Sequence, residues 1–171
     1  MKKFKKNIVL IGMPGCGKTT IGRLLARKMK TKFYDVDEYI RRTEGKSIPE
    51  IFENGEDYFR DIESKAVEKI AGKYSCVVST GGGVIKTSKN MDALKRNGII
   101  IFVNRGIGDI IENLQTKNRP LLKDGKEKIY ELYDERIDLY KKYSDFEIVN
   151  DSSLEVVVNR VYDFINSIQH I

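Results

Sequence analysis

The sequence predicts an α/β fold of three layers, α/β/α, built on a five-stranded parallel sheet. Three observations carry that prediction. Short β-branched runs alternate with longer segments of helical periodicity along the whole chain. The run Ile99-Ile100-Ile101-Phe102-Val103 is apolar at every position, as a strand covered by helices on both faces requires. The first run passes directly into a glycine-rich turn that opens a helix, the start of a βαβ unit.

Taken in order, Asn7 to Ile11 reads as a buried strand. Residues 18–30 read as a helix, with Ile21, Leu24, Leu25 and Met29 in 3.6-residue register. A second strand is expected over 33–36. A helix follows over 58–70, with Phe59, Ile62, Ala66 and Ile70 on one face. Cys76 to Ser79 is the third strand, and a helix over 91–97 is expected to stop at Gly98. The fourth strand is 99–103, helices are expected over 107–114 and 126–143, and Phe146 to Val149 is the fifth strand. A last helix over 153–168 opens on a Ser153 cap. Ligands in such sheets bind beyond the carboxyl ends of the strands, so the loops starting at Gly12, Val36, Thr80 and Asn104 should line one cleft.

Composition narrows the function. A chain of 171 residues with three prolines, no repeat and no linker composition is expected to form one domain over 1–171. A surplus of 31 basic over 25 acidic side chains, net +6, suits an anionic partner without naming it. No apolar run approaches the roughly 20 residues of a membrane helix, so a soluble protein is expected. The basic start, Met1 to Lys6, precedes an apolar run too short for a secretory signal, which points to a cytoplasmic location. Two cysteines, Cys16 and Cys76, and a single His170 exclude a disulfide framework, a zinc cluster and histidine-based nucleophilic catalysis.

Gly12-Met13-Pro14-Gly15-Cys16-Gly17-Lys18-Thr19 spells G-x-x-x-x-G-K-[ST] between a predicted strand and a predicted helix. Its backbone N–H groups can converge on phosphates at the helix N-terminus. Lys18 can reach the β- and γ-phosphates, and the Thr19 hydroxyl can bind Mg²⁺. Cys16 is read as a small residue that fits a tight loop, and Cys76 as core. Asp35 and Asp37 sit at the end of the second strand, where alternation would send both carboxylates to one side. Beside a phosphate loop, one suits Mg²⁺ and its waters and the other an acceptor hydroxyl. Arg60 and Glu63, three apart on a helix, read as an ion pair, by itself usually a solvated one. Gly81-Gly82-Gly83 after the third strand either meets a ligand through its backbone or forms a plain loop. The basic, turn-forming stretch around Lys117 to Leu122 could be a mobile cover that brings Arg119 to developing charge, or an ordinary exposed loop. Spacing alone makes Arg136 a surface charge.

Together these motifs resemble the shikimate kinases, small P-loop kinases similar in fold to the nucleoside monophosphate kinases. The resemblance runs in order over nearly the whole chain: GMPGCGKTT, FYDVDEYI, GKSIPEIF, STGGG, NRPLL and ERIDLY. It implies transfer of the ATP γ-phosphate to the 3-hydroxyl of shikimate, with Mg²⁺ as cofactor. It further implies that Gly12, Gly15, Cys16, Gly17, Lys18, Thr19, Thr20 and Arg119 bind ATP, with Lys18, Arg119 and Asp37 catalytic. Arg60 and Arg136 would hold the shikimate carboxylate, Glu63 would support Arg60, and Gly81, Gly82 and Gly83 would meet the ring. Asp37 would also contact shikimate, and Thr19 and Asp35 would serve the metal, Asp35 through water. Residues 36–64 would form the acceptor-binding helical region and 112–126 the lid. Where relatives often carry a further lid arginine, this chain has Leu114-Gln115-Thr116-Lys117, and its adenine loop reads Asn150-Asp151-Ser152-Ser153. The expected partners are small molecules, with no membrane, no nucleic acid and a monomeric chain. The other readings are a kinase of another small hydroxy acid such as gluconate, a nucleotide kinase, or an ATP- or nucleic-acid-binding module. The dispersed basic residues and the lack of aromatic-basic interleaving count against nucleic acid.

Overall fold

The computed structural model describes residues 5–116 and 125–168. Five parallel strands form one sheet in the order β2-β3-β1-β4-β5. They are β1 (Asn7–Ile11), β2 (Lys32–Asp35), β3 (Cys76–Ser79), β4 (Gly98–Asn104) and β5 (Phe146–Val149). The central strand β1 is buried at all five positions, between β3 and β4. Each fully buried Ile or Val there contributes roughly 1.5–3 kcal/mol relative to an exposed one.

The helices are α1 (Lys18–Lys28), α2 (Val36–Glu44), α3 (Ile48–Phe52), α4 (Glu56–Ala71), α5 (Ser88–Arg96), α6 (Ile107–Thr116), α7 (Lys126–Tyr143) and α8 (Leu154–Ile168). The chain steps outward from β1 to β2 and then runs back through β3 to β4 and β5. With right-handed connections, that reversal puts the connecting helices on opposite faces. Accordingly α1 packs with α8, whereas α4 packs with α5, and α5 and α7 lie against β4. No helix among the described residues is long and apolar enough to cross a membrane.

All five strands of the sequence reading are present. Several boundaries differ by a few residues. The second strand ends at Asp35, whose Oδ1 accepts from the Glu38 amide at 3.0 Å and caps α2. Asp37 therefore lies in the first turn of a helix, and strand alternation is not what brings it beside Asp35. Helix α2 itself offers only Val36 and Ile40 as buried positions, too few to register as a period. Helix α3 is a five-residue turn nucleated by a capping box between Ser47 and Glu50. The helix before Gly98 stops as expected, with Asn97 as its C-cap, and Gly98 at once opens β4 opposite Asn7, where a Cβ would strike the Leu94 carbonyl. Helix α5, which precedes it, begins at Ser88, three residues before the expected start at 91. The last helix is capped as expected, the Ser153 hydroxyl accepting from the Val156 amide at 3.4 Å.

Candidate active site

The register places Asp35 opposite Ser79 and Ser79 opposite Leu10, so the segments after β1, β2 and β3 leave the sheet at one level. They enclose a cleft of about 660 Å³ together with α4 and α7. The segment after β4 opens instead on a neighbouring cleft of about 420 Å³, bordered by Arg105, Asp109, Asn150 and Asp151. Thr20 and Gly17 line both clefts.

The phosphate loop joins the two. Gly17, with φ 106°, stands at the N-cap of α1 in a conformation that a side chain would strain. Lys18 is buried and folds back over the loop, donating to the carbonyls of Gly12 at 2.8 Å and Met13 at 2.9 Å, with Cys16 Sγ at 3.6 Å. Two asparagines secure the loop from outside. Asn113 Nδ2 donates to the Gly15 carbonyl at 2.9 Å, and Asn150 Nδ2 to the Cys16 carbonyl at 2.8 Å. Neither role was legible in the sequence, because both contacts span more than 90 residues.

At the loop's end, Thr19 Oγ1 donates to Asp35 Oδ2 at 2.8 Å and lies 3.3 Å from Ser79 Oγ. Among the described residues no group of three or more His, Cys, Asp or Glu side chains gathers as a protein-only metal cage. A hydroxyl and a carboxylate are hard oxygen donors, the type a divalent cation bound jointly by phosphates and water requires.

The far half of the cleft is strongly charged. Burial raises the Asp37 pKa above the ordinary carboxylate value, the Asp35 charge raises it further, and Lys18, Arg41 and Arg60 partly offset both. Arg60 on α4 is gripped by Glu63 at 2.8 Å and Glu56 at 3.0 Å. Burial works against its charge, but the two carboxylates outweigh it and hold the guanidinium charged. Glu63 is no solvated partner: it is 0% exposed, and its Oε1 has no hydrogen-bond partner among the described residues. Burial raises its pKa, against the pull of Arg60.

Arg136 on α7 corrects the surface reading. It is only 8% exposed, its Nε is buried without a hydrogen-bond partner, and among the described residues no carboxylate forms an ion pair with it. The glycine loop lies close by, and a Cβ on Gly83 would overlap the Arg60 guanidinium. Gly81, Gly82 and Gly83 all line the cleft, as does an apolar wall of Ile48, Phe52 and Phe59 that the sequence reading did not single out. Cys16 and Cys76 are both buried. Arg119 and the rest of the Lys117 to Leu122 stretch lie outside the described residues.

A phosphate loop after the central strand of a parallel sheet, opening on a charged acceptor cleft, defines a P-loop kinase. The family model described as Shikimate kinase matches residues 14–166. The chain belongs to the shikimate kinase family. It is 47% identical over 158 residues to the shikimate kinase of Clostridium botulinum strain Alaska E43, covering 92% of this chain and 96% of that one. Against the shikimate kinase of Clostridium beijerinckii it is 45% identical over 162 residues, covering 95% and 96%. Among solved structures it resembles shikimate kinase from Acinetobacter baumannii in complex with shikimate, with TM-score 0.90 and 32% identity over 96% of this chain and 95% of that one.

Proposed function

We propose that this cleft transfers the γ-phosphoryl group of Mg-ATP to the 3-hydroxyl of shikimate, releasing shikimate 3-phosphate and ADP. The observation that carries the reading is Arg136, a buried guanidinium without an ion-pair partner among the described residues, lining the same cleft as the carboxylate-held Arg60. A buried charge of this kind is costly unless a ligand completes it. A planar substrate carboxylate matches the guanidinium fork.

Asp37 orients the acceptor hydroxyl and takes its proton as the bond to phosphorus forms. Its raised pKa brings it closer to the working pH than an ordinary aspartate. Lys18 exchanges its carbonyl partners for the β- and γ-phosphate oxygens, and backbone N–H groups at the start of α1 share the negative charge. Glu63 keeps Arg60 charged and aimed. Gly81, Gly82 and Gly83 let the backbone approach the acceptor ring. Thr19 and Asp35 suit Mg²⁺, which when bound would neutralise phosphate charge. The smaller cleft is read as the place of the nucleotide base. Arg119 is assigned to the transferred phosphate, in a lid over about 112–126, with the acceptor-binding region at 36–64 inside one kinase domain. The chain is read as a monomer working on small molecules in the cytoplasm.

The test is ADP release from Mg-ATP by the purified protein, with shikimate, gluconate or a nucleoside monophosphate as acceptor. Turnover with shikimate alone is expected. Turnover with another acceptor and none with shikimate would overturn the reading.

A further inference from the structure

Tyr140 is the largest fully buried side chain among the described residues, and nothing in the transfer step described above uses it. It lies one helical turn beyond Arg136 on α7, so the two occupy the same side of that helix. Its ring stacks on Phe102 of β4 with centroids 5.2 Å apart. Its hydroxyl donates to the carbonyl of Gly82 at 2.5 Å, with Met13 Sδ 3.9 Å away. Burial pushes the phenol well above its usual titration range, so it remains a donor at any working pH.

A phenylalanine would fill this space without needing a polar partner, so the choice of partner is informative. The Gly82 carbonyl and the Gly83 N–H belong to one planar trans peptide and point in opposite directions. Anchoring the carbonyl on Tyr140 therefore turns the Gly83 N–H away from the core. That N–H has no acceptor among the described residues, and Gly83 lines the cleft directly against Arg60.

We propose that Tyr140 is a positioning residue: its hydroxyl sets the Gly82–Gly83 peptide so that the Gly83 N–H is presented to the acceptor beside Arg60. Its place one turn from Arg136 joins that arginine and the glycine loop into one unit. The inference rests on the reading of Arg60, Arg136 and the glycine loop as the acceptor site.

The experiment compares Tyr140→Phe, Phe102→Leu and Arg136→Ala by steady-state kinetics and thermal melting. Tyr140→Phe is expected to raise the KM for shikimate about 5- to 20-fold, the worth of one hydrogen bond, while the KM for ATP stays within about twofold. Phe102→Leu disturbs the same packing without touching the hydroxyl. It should lower the melting temperature at least as much and leave the shikimate KM within about twofold. An unchanged shikimate KM in Tyr140→Phe, or an equal rise in Phe102→Leu, overturns the inference. If Tyr140→Phe melts too low for kinetics, saturating Mg-ADP holds the fold by mass action and calorimetry gives the shikimate affinity. The same loss is expected, and an unchanged affinity again overturns the proposal. Arg136→Ala separates the two levels. If it leaves the shikimate KM unchanged, the acceptor-site reading fails; if it raises KM and Tyr140→Phe does not, only the role of Tyr140 fails.

Discussion

Arg60 and Arg136 line one cleft in opposite electrostatic states: Arg60 is held by Glu63 and Glu56, whereas Arg136 has no ion-pair partner among the described residues. The difference separates what each contributes to binding from what it contributes to folding. Both substitutions to Ala should weaken shikimate binding by about 2–5 kcal/mol and spare ATP, because a desolvated carboxylate loses one of its two forks. Their effects on stability should diverge. Arg60→Ala strands the buried Glu63, a loss of about 3–5 kcal/mol reduced by whatever Glu63 regains on taking up a proton. Arg136→Ala strands no ion-pair partner among the described residues but removes a hydrogen bond to Tyr140 and a favourable charge near Glu63, so its loss of stability should be the smaller of the two. Denaturant unfolding and shikimate KM on the same two proteins check both halves, and an equal loss of stability would contradict the pairing described here.

Asp37 carries a second divergence between stability and activity. Its folded pKa is raised by burial, and then by Asp35, above the unfolded value of 3.8. A carboxylate raised on folding binds protons more tightly in the native state, so stability falls as pH rises from the unfolded pKa through the folded one. The sign is opposite to that of a salt-bridged aspartate. At neutral pH, Asp37→Asn removes this penalty, so the ligand-free variant should melt no lower than the parent, and higher if the burial cost dominates. Its kcat should fall by about 10²- to 10⁴-fold, the usual contribution of a positioned base, with ATP binding retained. A normal kcat would show that the chemical step does not depend on Asp37.

How much of this was legible in the sequence depended on whether the signal was local. The five strands were, because each holds a short local cluster of β-branched, aromatic or other apolar residues, and so was the phosphate loop, whose glycines and Lys18-Thr19 fall within eight consecutive positions. Helices α2 and α3 were not resolved as separate elements, because nine and five residues hold too few buried positions to show a period. Asp35 and Asp37 were read as neighbours in the site for a reason that fails, strand alternation, when a helix cap and first turn bring them there. Arg136 looked like one charge among many on an amphipathic helix. Its burial follows from the packing of α7 on β4 and the turn after the glycine loop, which no local pattern encodes.

Asn150 has a comparable long-range role, and it gives the nucleotide half of the site its own test. Its side chain donates to the Cys16 carbonyl, and its backbone amide to the Asn104 carbonyl at 2.7 Å, so it links the phosphate loop to the ends of β4 and β5. Asn150→Ala leaves the Cys16 carbonyl without that donor, at a cost of about 1–3 kcal/mol where the group stays buried. The expected result is a raised KM for ATP with the shikimate KM unchanged, the mirror image of the arginine variants. Equal changes in both constants would mean that the loop is held by other contacts.

Arg41 offers a probe of Asp37 from outside the cleft. It is exposed on α2, one helical turn after Asp37, and its charge lowers the Asp37 pKa. If Asp37 must be ionised for transfer, kcat falls on the acid side as that carboxyl is protonated, and this limb lies above the pH at which an ordinary aspartate titrates. Removing a positive charge makes the ionised form less favourable, so Arg41→Gln should move the acid limb of kcat to higher pH. The plateau at neutral and alkaline pH should be unchanged, since Arg41 is exposed and does not line the cleft. Raising the ionic strength should shift the parent's limb in the same direction and shrink the difference between the two proteins, because an exposed charge is screened. A pH profile of kcat at two salt concentrations measures both effects. A limb that stays in place in Arg41→Gln would assign it to another group and remove the kinetic case for Asp37 as the proton acceptor.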